Sequence, residues 1–247
     1  MPPMRHLVVA DLHYSLRQWD WLLREAGHFD GVIVAGDLLD LASAVDLEAQ
    51  SVVILKYLAR LAAAAPRVLV TSGNHDLDGV DEDQERAALW LAEARTAGAL
   101  IDGDGCDLDG WRLTLCPWWD GERGRSRVAA QLAGEAARRN GPWGWIHHAP
   151  PKGCRTSWTG KADAGDPVLT GWIREYQPDF VLCGHIHQAP FQAGGAWTDT
   201  IGRTRVFNAG HYLAAEPPFL VLDLAARTVE WISAAGREQI ALGATSG

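Results

Sequence analysis

The chain has 247 residues, 47% of them hydrophobic and 21% charged, a composition that fits one large α/β domain spanning residues 1–247. A chain of this length buries enough apolar surface to fold without disulfide staples, and no apolar run reaches the roughly 18–20 residues of a membrane-crossing helix. The formal charge of −9 speaks against a broad basic surface for gripping nucleic acid.

Residues 5–10 form a short apolar run ending at Asp11-Leu12-His13, the pattern of a buried strand feeding a loop. Trp19, Leu22, Leu23 and Ala26 follow helical spacing, with Gly27 as the stop. Residues 31–35 make a second buried strand that ends at Gly36-Asp37. Apolar positions between Val52 and Ala62 predict a long helix over 45–64, and residues 67–71 form a third strand running into Gly73-Asn74-His75-Asp76. The first 76 residues therefore alternate β–α–β–α–β. Each strand carries polar residues at its C-terminal end, the edge where open α/β sheets bind ligands.

Further along, a helix is expected over 82–97. Residues 105–119 read as strands joined at the Asp109-Gly110 turn and finishing at Pro117-Trp118-Trp119. A helix over about 125–139 precedes a strand at 143–147, and a helix over 168–176 precedes a strand at 180–183 that ends at Gly184-His185-Ile186-His187. The tail alternates around 205–208, 220–223 and 229–232, as antiparallel strands do. Two facing sheets flanked by helices are expected. The scattered cysteines, Cys106, Cys116, Cys154 and Cys183, form no C-x-x-C pair. Together with an N-terminus that runs straight into a strand, they lead to the expectation of reduced thiols in a cytoplasm.

Five strand ends carry oxygen or imidazole donors: Asp11/His13, Asp37/Asp40, Asn74/His75, His147/His148 and His185/His187. A D-x-H step on a strand-to-loop turn aims a carboxylate and an imidazole at one cation. Carboxylate, amide oxygen and imidazole together suit Mn, Fe, Zn or Co, whereas calcium and magnesium favour oxygen alone. Even seven of these ten donors exceed one tetrahedral site but fit two cations that share a carboxylate.

Taken in order, the motifs D-x-H, G-D-x-x-D, G-N-H-D, H-H-x-P and G-H-x-H, from residue 11 to residue 187, resemble those of the calcineurin-like metallophosphoesterase family. One motif alone is weakly specific; all five in order, each at a strand end, are highly specific. The resemblance implies a four-layer αββα sandwich of two mixed sheets and a dinuclear metal centre, with manganese the first candidate. It assigns Asp11, His13 and His187 to one metal, Asn74, His148 and His185 to the other, and Asp37 to both. His75 would donate a proton to the leaving oxygen or steady the phosphate, and Asp40 would orient and charge it. A hydroxide between the cations would attack phosphorus in line. Relatives carry the ligand two residues before the proline, which favours His148, ahead of Pro150, over His147. Strand alternation turns His147 to the other face.

The remaining candidates have plainer readings. His6 and His28 read as structural or solvated, and His211, after Asn208-Ala209-Gly210, as a neighbour of the site. Asp76 reads as the cap of its own turn, and Arg155 and Lys161 as solvated loop residues. Trp118 and Trp119 read as core packing, with stacking on a nucleobase as the alternative. The spelling C-G-H-I-H-Q at 183–188 is similar to the class III cyclic nucleotide phosphodiesterases, and the likeness ends after Gln188. Asp40 is followed by Leu41 and not by the D-R-G continuation of protein Ser/Thr phosphatases, and His75 stands where lipid A pathway pyrophosphohydrolases carry arginine. The expected activity is hydrolysis of a small nucleotide-like phosphodiester. The alternatives are a nuclease of the same fold and a non-catalytic scaffold, the second at odds with the complete donor set.

Overall fold

The computed structural model describes residues 4–242; residues 1–3 and 243–247 of the single-domain expectation lie outside the described residues. The strand β1 (Arg5–Val9), helix α1 (Leu16–Ala26), strand β2 (Gly31–Ala35), helix α2 (Leu47–Ala64) and strand β3 (Val68–Thr71) follow the expected order. The three strands run parallel, with Val8 opposite Ile33 and Ile33 opposite Leu69. A short hairpin of β4 (Gly79–Val80) and β5 (Arg86–Ala87) comes next. It leads to β6 (Gly105–Leu108), β7 (Trp111–Leu115), α3 (Glu122–Arg138), β8 (Trp143–Ile146), α4 (Pro167–Tyr176) and β9 (Phe180–Cys183). Then follow β10 (Thr198–Ile201), β11 (Thr204–Asn208), β12 (Phe219–Asp223), β13 (Thr228–Ser233) and β14 (Gly236–Ala241).

One sheet has the order β14-β13-β12-β1-β2-β3 and the other β10-β11-β9-β8-β7-β6. Strand alternation decides what each face covers. Leu7 and Val9 pack with Val32 and Val34 beneath Trp19 and Leu22 of α1 and Ile54 and Leu58 of α2. Val8, Ala10 and Ile33 point the other way, against Leu113, Ile146 and Leu182 of the second sheet. The outer face of that sheet, with Trp143, Trp145 and Val181, is covered by Leu132 of α3 and Leu169 and Ile173 of α4. The result is helix, sheet, sheet, helix. Both faces of β1, β2 and β9 are buried, which is why they read as unbroken apolar runs.

The expected helix over 82–97 is corrected: only Leu89–Ala97 is helical, as a 3-10 helix, and the hairpin occupies the first part. The polar side chains there bind backbone groups that a helix would not offer. Asp81 accepts the N–H groups of Asp83 and Glu85, and Glu85 reaches across to those of Arg123 and Gly124 at the start of α3. Such side-chain bonds compete directly with helix formation. Strands β10 and β14 lie outside the sequence expectation. The sequence of β14, Gly-Arg-Glu-Gln-Ile-Ala, has no apolar alternation, as befits a charged, largely exposed edge strand.

Candidate active site

The segments that follow β1, β2, β3, β8 and β9 converge. Donor atoms of Asp11, His13, Asp37 and His187 lie within 4.8 Å of one another, and so do those of Asp37, His148 and His185. Asp37 belongs to both groups. The Nδ1–H of His148 donates to the carbonyl oxygen of Ala35 at 2.7 Å, so Nε2 is turned to the carboxylates, 3.0 Å from Asp37 Oδ2 and 3.7 Å from Asp11 Oδ1. Anchoring one imidazole nitrogen on a backbone carbonyl is how proteins aim the other at a metal.

Asn74 stands between two residues that touch this cluster. A Cβ on Gly73 would fall 2.2 Å from Asp37 Oδ1, and the His75 N–H donates to that same oxygen at 2.8 Å. Among the described residues, Asn74 Oδ1 is buried without a hydrogen-bond partner, and the buried His148 Nε2 faces only carboxylate oxygens. Buried polar atoms are nearly always paired, so Asn74 Oδ1 fits a missing partner with positive charge. The donor set of carboxylates, imidazoles and one amide oxygen fits divalent cations.

The backbone is bent to bring these donors together. Asp11, His13, Asp37 and His185 all have left-handed φ values, 57°, 42°, 54° and 68°. This region is uncommon for non-glycine residues and persists where surrounding structure enforces it. Here the N–H groups of Asp11 and His13 are held by the carbonyls of Gly36 and Asp37. The His185 N–H donates to both carboxylate oxygens of Asp11, at 2.9 and 3.1 Å. Gly184 has to be glycine, since a Cβ there would lie 2.5 Å from Asp11 Oδ2.

Charges follow from burial and proximity. Burial alone would raise the carboxyls of Asp11 and Asp37, but His187 and His148 outweigh it and hold both below the usual range. Burial also disfavours charge on His148, yet Asp37 and Asp11 lift its pKa to about 10. His187 is raised in the same way by Asp11, against burial. Burial dominates at His13, which is lowered, and at His185, which falls to about 4 with the help of the His148 charge. A site in this state takes up cations only by giving up protons.

His75 lies at the edge of the cluster, its ring edge-on to that of His13 with centroids 4.5 Å apart. Its Nδ1 is 3.4 Å from Asp40 Oδ1 and accepts the Leu41 N–H at 3.1 Å. The ring proton of the neutral form therefore sits on Nε2. Asp40 is itself clamped by Gln50, which accepts from its N–H and donates to its carbonyl.

The family model described as calcineurin-like phosphoesterase matches residues 4–189. The chain belongs to that family. Calcineurin-like phosphoesterases depend on two metals, and the cluster around Asp37 is this one's candidate metal site. No curated protein matches the chain. Solved structures share the phosphoesterase fold at low sequence identity. TT1561 of Thermus thermophilus has a TM-score of 0.61 at 14% identity, over 98% of this chain and 100% of that one. Purple acid phosphatase PPD1 from yellow lupin seeds scores 0.59 at 13%, over 96% and 53%. The phosphopantetheinyl hydrolase of Mycobacterium tuberculosis scores 0.55 at 15%, over 84% and 89%. Among the described residues, no helix of this phosphoesterase is long and apolar enough to cross a membrane.

The other sequence candidates of the phosphoesterase separate cleanly. His147 points away from the cluster and stacks on Trp119. His211 lies beside the cluster, its ring 4.8 Å from that of His187, with burial and the His187 charge lowering its pKa to about 4. The Arg155 guanidinium is spent on the carbonyls of Gly194 and Gly195, and Lys161 is exposed. Sequence reasoning misses Asn208, although its N-A-G turn stands out. Its Nδ2 donates to the carbonyls of Gly184 and Ile186 and so staples the G-H-x-H loop.

Asp76 does more than cap a turn. Its Oδ2 accepts the Gly73 N–H at 2.7 Å, while Oδ1 accepts those of Leu38 and Leu39 at 2.9 Å each, tying the G-N-H-D turn to the residues after Asp37. Asp76→Leu would orphan three buried N–H groups, each costing about 1–3 kcal/mol. We expect a loss of stability of about 3–5 kcal/mol, read as a lower urea midpoint, with Asp76→Asn retaining part of it. An unchanged midpoint for Asp76→Leu would show that the turn is held by other contacts.

Proposed function

We propose that this chain is a hydrolase of small, nucleotide-like phosphodiesters, acting as a single unit over residues 1–247 at a centre of two divalent cations. Manganese is the favoured cation, with Fe, Zn or Co as alternatives. The observation that carries the reading is the pair of donor groups sharing Asp37, with the unpartnered Asn74 Oδ1 beside them and His148 Nε2 turned to the carboxylates. In this reading Asp11, His13 and His187 hold one cation, Asn74, His148 and His185 the other, and Asp37 both. When bound, the cations supply positive charge to the phosphoryl oxygens and acidify water.

The rest falls to side chains of this chain. His75 presents its Nε2–H to the leaving oxygen, the Leu41 N–H donated to Nδ1 keeps the ring in position, and the Asp40 carboxylate lies 3.4 Å from that nitrogen. Three considerations favour a small diester. The spelling around His185 and His187 is closest to that of the family's phosphodiesterases, a diester brings only one negative charge, and a net charge of −9 repels a long polyanion. The four unpaired cysteines are consistent with work in a reducing cytoplasm.

A hydrolysis panel with added Mn tests the proposal. It comprises p-nitrophenyl phosphate, bis-p-nitrophenyl phosphate, 2′,3′- and 3′,5′-cyclic nucleotides, and single-stranded DNA at several salt concentrations. We expect kcat/KM for the small diesters to equal or exceed that for the monoester. Activity confined to the monoester would remove the diesterase reading. Rapid DNA cleavage that weakens steeply with salt would replace it with a nuclease.

A further inference from the structure

Beside the donor cluster lies a cavity of about 310 Å³, lined by Trp118, Trp119, His147, Asp120, Arg125 and Asp166 among others. Trp118 is the divide. Its ring centroid is 5.3 Å from that of His185 and 5.9 Å from that of His148, and it also lines the cavity. The Trp118 backbone N–H is fixed on Ser72 Oγ at 3.0 Å. Three aromatic planes in this wall are nearly parallel. Trp119 stacks on His147 at 4.4 Å and 5°, and Trp118 is tilted only 15° from the same imidazole. Trp172 braces Trp119 from the side, 5.4 Å away.

His147 is 1% exposed. Its Nδ1 faces the carbonyl oxygen of Cys116 at 3.3 Å, an atom that can only accept, so Nδ1 carries the hydrogen and Nε2 is a bare acceptor. That Nε2 is itself buried and has no hydrogen-bond partner among the described residues. The charged residues of the wall point the same way. Arg125 pairs with Glu122 at 3.3 Å on the exposed side, so acidic groups outnumber it in the lining, with Asp120 and with Asp166, whose Oδ1 also caps α4 through the Leu169 N–H. What the cavity offers is flat aromatic surface and hydrogen-bond acceptors, one ring away from the donor cluster.

We propose that this cavity binds a flat nitrogen heterocycle bearing N–H donors, an amino-substituted nucleobase, which the substrate's sugar joins to the scissile phosphate. The base stacks on the tryptophans and donates to His147 Nε2. This assignment rests on the phosphodiesterase reading and narrows it. A quaternary ammonium also suits tryptophan faces near carboxylates, but it has no N–H to give to Nε2. A second phosphate would meet Asp120 and Asp166.

The test is a calorimetric titration of the full chain, freed of metal by chelator, with adenosine, purine riboside and choline. We expect adenosine to bind, and purine riboside, which lacks the amine, to bind about tenfold more weakly. Trp119→Leu should weaken adenosine binding by about tenfold or more, and Trp119→Phe should restore most of it. His147→Phe keeps a ring against Trp119 but should erase the preference for adenosine over purine riboside. Thermal melts and Mn uptake check that each variant is folded.

Equal adenosine affinity in wild type and Trp119→Leu, tighter binding of choline, or no adenosine binding at all would each overturn the proposal. The titration involves neither metal nor turnover, so the two readings fail separately. Diester hydrolysis without adenosine binding rejects the cavity assignment alone. Adenosine binding as described, with no hydrolysis of any ester by the Mn-loaded chain, rejects the hydrolase reading and keeps the cavity as a nucleoside site.

Discussion

His75→Ala is expected to keep the full complement of metal and to lower kcat by about 10²–10⁴-fold, the range of general acid catalysis. The separation of the two effects follows from geometry. His75 groups with His13 and Asp40 at the edge of the site and belongs to neither of the donor groups that share Asp37. To Asp37 it gives its backbone N–H, which the substitution leaves in place. What is lost is the Nε2–H that the Leu41 amide enforces by occupying Nδ1. The deficit should grow with the pKa of the leaving group, because a poor leaving group depends most on being protonated. A series of aryl phosphodiesters, assayed beside metal analysis of the same preparation, measures both quantities. Asp40→Asn should act in the same direction through the ring it faces at 3.4 Å. If His75→Ala strips the metal, the division between ligands and proton donor is wrong.

What can be read from the sequence is what depends on local pattern. The strands β1, β2, β3, β8 and β9 are buried on both faces, so each forms an apolar run, and the polar residues that end each run are the ones the fold gathers. Parallel strands and short loops leave little freedom in where those ends go. The misread segment shows the limit. Glu85, which favours a helix by composition, spends its carboxylate on amides 38 and 39 residues away, and no local pattern announces such a bond. Asp76 reads as a cap, yet its bonds to Leu38 and Leu39 join the ends of two strands and form only when β2 and β3 lie side by side. The face to which His147 turns is legible from alternation. The cavity it lines is not, because Trp119 and Trp172 come from segments brought together only by packing.

Asp37→Asn should have the widest consequences of any single change. It removes the one charge that belongs to both donor groups while keeping the side chain's shape. We expect the metal content of the purified protein to fall from two to one or fewer. We expect kcat to fall by about 10³–10⁵-fold, the equivalent of the several kcal/mol that paired cations contribute. A second effect arises in protein freed of metal. His148 is held protonated, with a pKa near 10, chiefly by Asp37 acting against burial. Its folded pKa therefore lies above the unfolded value of about 6.5. The stability this lends is fully present below about pH 6.5 and is lost as pH rises towards 10. Without the Asp37 charge only Asp11 and the Ala35 carbonyl oppose burial at His148, so that decline should flatten. Melting temperatures of wild type and Asp37→Asn in chelator, taken from about pH 6 to pH 10, give the comparison. Parallel curves would show that His148 draws its charge from elsewhere, and two metals retained in the variant would show that Asp37 does not bridge them.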